Sequence, residues 1–145
     1  MKVLILCTGN SCRSQMAHGY LQTLDKNIEV RSAGTEPALH VNSKAVKVMS
    51  EEGIDISRHT PRFVDEYLDD DWDYVITVCD SANESCPIFP RRVKHRLHIG
   101  FEDPSEAIGT DDFIMYEFRR IRDKIIERFY KLYTEELSNH LKNRD

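Results

Sequence analysis

The sequence predicts an α/β fold, a four-stranded parallel sheet flanked by helices, in a single domain over residues 1–145. Three observations predict it. Short apolar runs alternate with longer helical patterns along the chain, as in parallel strands joined by right-handed crossovers. The first run, Val3-Leu-Ile-Leu, is apolar at every position, as a strand covered on both faces must be. No repeat, Pro/Ser-rich linker or break in composition divides the 145 residues, a length that suits one core and not two.

The elements follow in order. The first strand ends at Thr8-Gly9-Asn10, and a helix runs from about Arg13 to Asp25, with Met16, Tyr20, Leu21 and Leu24 near helical spacing. Ile28 to Ala33 is a second strand, closed by Gly34. Asn42 or Ser43 caps a helix reaching Glu52, and Gly53 stops it. A short helix is expected near Val64 to Leu68. Tyr74 to Val78 is the third strand, ending at Cys79, and His95 to Ile99 is a weaker fourth. A long helix is expected from about Asp111 to Leu141, because Ile114, Phe118, Ile121, Ile125, Phe129 and Leu132 step by three or four along one face.

Composition narrows the function. Hydrophobic residues make up 40% and charged residues 31%, which is globular and not low-complexity. Twenty Lys+Arg against twenty-five Asp+Glu give a net charge of −5, against general affinity for nucleic acid. The apolar run Val3 to Cys7 is too short for a membrane span or a signal peptide, so a cytoplasmic protein with reduced thiols is expected. Cys7, Cys12, Cys79 and Cys86 then read as reactive thiols or metal ligands. Zinc is the weaker choice, because no CxxC is present. The acidic run Asp65–Asp73 reads as a solvated loop face. Arg91-Arg-Val-Lys-His-Arg96 reads as a solvated edge strand, or as a local positive field for an oxyanion or a protein partner.

The informative segment is Cys7-Thr-Gly-Asn-Ser-Cys-Arg13-Ser14. A cysteine ends a buried strand, a turn follows, and an arginine opens a helix. Such a turn can aim backbone N–H groups into one concavity, with Gly9 expected to supply unusual torsions. The helix N-terminus adds its positive end, and Arg13 a fork for two oxygens. Thr8, Gly9, Asn10, Ser11, Cys12, Arg13 and Ser14 are therefore the expected oxyanion site, with Cys7 as a thiolate nucleophile attacking in line. Ser14 is expected to hydrogen-bond the thiolate. Cys12 reads as a loop-filling residue or as a redox partner of Cys7. Asp103, held extended by Pro104, reads alone as a turn residue or as a candidate general acid, the second reading leaning on the resemblance below. If the first and third strands are neighbours, Cys79 lies beside Cys7, in the crevice where open α/β sheets place their sites.

The segments Cys7–Ala17, Ser32-Ala-Gly34, Gly53-Ile-Asp-Ile-Ser57, Val78-Cys79, Cys86-Pro87 and Gly100-Phe-Glu-Asp-Pro104 resemble the thioredoxin-coupled arsenate reductases, built on the low-molecular-weight protein tyrosine phosphatase fold. The phosphatases share the loop and the Asp-Pro but lack the later cysteine pair. The resemblance implies a relay. Cys7 attacks arsenate held by Arg13 and the loop, while Asp103 protonates the departing oxygen. Cys79 then releases arsenite, leaving Cys7–Cys79. Cys86 takes over Cys79, and thioredoxin reduces Cys79–Cys86. The two thiols supply the electrons, so no redox cofactor is implied, and a monomer is expected. His18 stands where several members carry a glutamate that helps hold potassium. Asn10, Ser32 and Asp65 remain as candidate ligands, and His18 counts against the ion. Ile99 replaces the family's usual tryptophan before Gly100. A tyrosine- or small-ester phosphatase is the first alternative, and a non-catalytic oxyanion sensor or thiol-binding module the second.

Overall fold

The structure, a computed structural model, describes residues 1–143. The last two residues of the domain expected over 1–145 lie outside the described ones. Four parallel strands, β1 (Lys2–Cys7), β2 (Glu29–Gly34), β3 (Trp72–Thr77) and β4 (Val93–His98), lie in the order β2-β1-β3-β4. The sheet is flanked by α1 (Arg13–Leu24), α2 (Ser43–Ser50), α3 (Asp80–Glu84), α4 (Asp111–Leu132) and α5 (Ser138–Lys142). β1 is central, and Val3 through Leu6 have no exposed surface, which explains their unbroken apolar run. The chain moves from β1 outward to β2 and then crosses back to β3. That reversal places a crevice beyond the carboxyl ends of β1 and β3.

Local chemistry accounts for the helix starts. Asn42 Oδ1 accepts from the amides of Lys44 and Ala45 at 2.8 and 3.4 Å, and Thr110 Oγ1 accepts from Phe113 N at 3.1 Å. Asp111 and Asp112 in the first turn of α4 suit its positive end. α1, α2 and α4 pack on one another.

Some expectations need correction. β3 starts at Trp72 rather than Tyr74, and β4 at Val93 rather than His95. α2 ends at Ser50, short of the expected Glu52, and Gly53 takes a left-handed φ of 73° in the turn beyond. The expected short helix is a 3₁₀ turn over Val64–Tyr67. The long helix does not run unbroken to Leu141. After Leu132 a π turn spans Tyr133–Leu137 before α5. The next buried apolar residue after Leu132 is Leu137, five positions on, and a turn of i→i+5 type keeps it facing the core. Tyr133 is tied to α1 by its hydroxyl, 2.9 Å from Asp25 Oδ2.

The two charge runs meet each other. Lys94 pairs with Asp73 at 3.2 Å and Arg91 with Asp71 at 3.4 Å, where the acidic run enters β3 and the basic run forms the exposed edge strand β4. A charged edge discourages pairing with another sheet.

Candidate active site

The loop from Cys7 to Arg13 owes its shape to where its carbonyls go. Those of Cys7, Thr8, Gly9 and Ser11 accept from the amides of Thr35, Glu36, Ala38 and Asn42 at 2.9–3.2 Å. The Asn10 carbonyl accepts from Gln15 Nε2 at 3.1 Å, and that of Cys12 from Met16 N at 2.9 Å. In a trans peptide the N–H points opposite to the carbonyl. Outward carbonyls therefore turn the amides of residues 8–13 inward, into a nest for an anion. α1 begins at Arg13 and adds its positive end.

The residue in the left-handed region is Asn10, with φ of 51°, and not the expected Gly9. Asparagine tolerates that conformation, and four hydrogen bonds hold it there. Its Nδ2 donates to Ser14 Oγ at 2.7 Å, Oδ1 accepts from Gln15 Nε2 and Arg62 N, and its carbonyl accepts from Gln15. The structure thus brings Ser14 onto Asn10, where it braces the loop. Gly34 is required by a different constraint, because a Cβ there would run into the Thr8 carbonyl.

Arg13 reaches back over the loop. Its Nη1 donates to the Phe101 carbonyl at 3.0 Å, and Nη2 lies 3.4 Å from Asp103 Oδ2. Its Nε, buried, is without a partner among the described residues, and such a donor calls for an acceptor from outside the chain. Asp103 is fixed in turn, its Oδ1 accepting from the amide and hydroxyl of Ser105 at 2.9 and 2.7 Å. A cavity of about 470 Å³ connects Thr8, Arg13, Cys79 and Asp103.

Cys7 and Cys79 sit together, as the pairing of Leu6 with Thr77 requires. β3 itself stops at Thr77, but Val78 N still donates to the Leu6 carbonyl at 2.9 Å. Each thiol is the largest influence on the other, Cys79 raising the Cys7 thiol and Cys7 lowering that of Cys79. The pair therefore releases one proton readily and holds the second. Burial raises Cys7 further, while Arg13 and the Thr8 amide oppose it, so the thiolate expected at Cys7 is favoured at Cys79 instead. Thr8 Oγ1 lies 3.3 Å from Cys79 Sγ and favours a thiolate there. Cys12 is buried, and burial pushes its thiol up to about 11. Cys86, half-buried, lies beyond the far end of α3 from Cys79; burial raises its thiol against the nearby Arg96. α3 is pinned to the sheet through His98, whose ring nitrogens lie 2.8 Å from Thr77 Oγ1 and 3.0 Å from Asp80 Oδ1.

Residues 2–143 match the low molecular weight phosphotyrosine protein phosphatase family. The chain belongs to that family. An arsenate reductase of Halalkalibacterium halodurans is 48% identical over 127 residues, 87% of this chain and 90% of that protein. A solved arsenate reductase in its phosphate-binding state superposes with a TM-score of 0.75 at 33% identity, covering 92% of this chain and 97% of that one. The thioredoxin-dependent arsenate reductase of Corynebacterium glutamicum gives 0.70 at 28% identity, covering 94% of this chain and 62% of that one.

The potassium ion that the resemblance raised does not fit these residues. Asn10 Oδ1 already accepts from two donors, Ser32 Oγ is bonded to His18 Nδ1 at 2.9 Å, and Asp65 does not line the adjoining cavity, which Arg31 and Arg62 do. Gln15, His59 and His98 were missed in the sequence, where nothing in their spacing marks them. Their partners lie between 5 and 44 positions away.

Proposed function

We propose that the chain reduces arsenate to arsenite by a three-cysteine relay, with thioredoxin as the final reductant and the reduced cytoplasm as its setting. The observation that carries the reading is a second thiol beside Cys7 at the rim of an anion nest. Hydrolysis of a phosphoester needs no such group. Arsenate binds on the inward amides and Arg13, whose Nε gains an acceptor. The proton that the pair holds passes from Cys7 to Cys79, the Cys7 thiolate attacks arsenic, and an arsenate hydroxyl leaves as water with a proton from Asp103. Cys79 then gives its proton to an arsenate oxygen and attacks the Cys7 sulfur as thiolate. The sulfur–arsenic bond breaks, its electron pair stays on arsenic, and arsenite departs, leaving Cys7–Cys79. Cys86 then attacks Cys79 and frees Cys7, and a dithiol reductant restores Cys79 and Cys86.

The last exchange requires α3 to unwind. The five residues of α3 advance roughly 7.5 Å at about 1.5 Å each. Cys79 and Cys86 lie outside its two ends, and so farther apart than the roughly 7 Å between Cα atoms that a disulfide spans. Within α3 only Ala82 is buried, so opening exposes little apolar surface. A phosphatase working through a Cys7 phosphoenzyme is the second reading, favoured by the pairing of Arg13 with Asp103 over the loop.

The test runs two assays side by side, arsenite formation with a thioredoxin system and hydrolysis of an aryl phosphate. The relay predicts arsenite turnover and only weak hydrolysis. Cys79→Ser is expected to stop the first and leave the second largely intact. Efficient hydrolysis with no arsenite formed would establish the phosphatase instead.

A further inference from the structure

A cavity of about 260 Å³ is lined in part by Gln15, which braces the loop, and the proposed reaction does not use it. Arg31 on β2 and Arg58 and Arg62 from the segment between α2 and β3 line it, together with His18 of α1 and His59. Among the described residues no carboxylate lines it, although the chain carries a net charge of −5, and Asp55 acts on Arg58 and His59 from outside the lining. Glu29 and Glu66 meet Arg31 and Arg62 at 3.6 Å from outside the lining, as exposed pairs that water screens.

The two imidazoles stack with ring centroids 4.5 Å apart. Burial lowers both histidines, His18 to about 3, with His59 and Arg31 pressing in the same direction. The rings are therefore neutral at ordinary pH, and the charges on the cavity wall itself are three guanidinium groups, each met by a carboxylate from outside it. Arg31 from β2 on one side and Arg58, Thr60 and Arg62 from the 58–62 segment on the other bring donors to its wall, Arg31 Nη1 being already given to the Val30 carbonyl at 2.9 Å. That arrangement suits an anion with several acceptor oxygens.

We propose that this cavity is a second oxyanion site, distinct from the Cys7 nest, taking a tetrahedral dianion of the phosphate class. Arg31, Arg58 and Arg62 set the sign of the charge it accepts. It also reaches the nest. His59 Nδ1 lies 2.9 Å from Gln15 Oε1, and Gln15 Nε2 braces Asn10, so an occupant beside His59 bears on the loop through two hydrogen-bonded links. The proposal uses no cysteine and stands whether or not arsenate is the substrate.

The test titrates inorganic phosphate while the ring nitrogens of His18 and His59 are followed by NMR, in wild type and in Arg13→Met, which removes the grip of the nest. Saturable shifts of both rings in both proteins are expected. Arg58→Gln combined with Arg62→Gln should weaken them by about tenfold per arginine, as loss of a charge-assisted contact does. Arg58→Gln alone, at an exposed position, carries the comparison if the double variant does not fold. Rings that stay still, that respond equally to chloride at matched ionic strength, or that keep their affinity without the arginines would overturn the site.

Discussion

Cys7→Ser is expected to abolish arsenite formation and aryl phosphate hydrolysis together, by at least about 10⁴-fold, because both need the same nucleophile. The serine hydroxyl holds its proton at neutral pH, and the nest of inward amides cannot replace the missing thiolate. Folding should be preserved, since the exchange swaps one small buried group for another and the loop is held by its outward carbonyls. Initial rates of both reactions check this. Hydrolysis that survives the exchange would place the chemistry outside the loop.

Asp103→Asn is expected to slow arsenite formation by about 10²–10⁴-fold, the range for one general acid. Asparagine keeps an oxygen to accept from Ser105, so the loop retains its turn while the transferable proton is lost. Glu102→Gln, one residue earlier, should be nearly silent. Its carboxylate faces α4, 2.7 Å from Arg120 and 3.7 Å from Lys124. The comparison is a kcat measurement with KM for arsenate as the companion reading, and reversed effects would show that the wrong carboxylate was assigned.

What the sequence made legible was local. The apolar run of β1, the turn from Cys7 to Arg13 and the start of α1 are contiguous, and their chemistry shows in the residue types. The neighbourhood of Cys7 and Cys79 was conditional on the first and third strands lying side by side, and β1 does pair with β3. What could not be read depends on partners distant in sequence. The left-handed torsion falls on Asn10 because Gln15, Ser14 and the Arg62 amide hold it. The π turn at Tyr133–Leu137 comes from a five-residue step between buried leucines that a helical pattern reads as noise. The acidic and basic runs looked like two solvated faces until β3 and β4 were set side by side.

The most direct measurement of the relay is the disulfide left after arsenate, read by peptide mapping in Cys86→Ser and in wild type without a reductant. The account predicts that Cys86→Ser forms about one arsenite per chain and stalls with Cys7–Cys79, while wild type ends with Cys79–Cys86 and faster hydrogen exchange across residues 80–90. Cys7–Cys12 as the main product, or equal exchange in the reduced and oxidised forms, would contradict it.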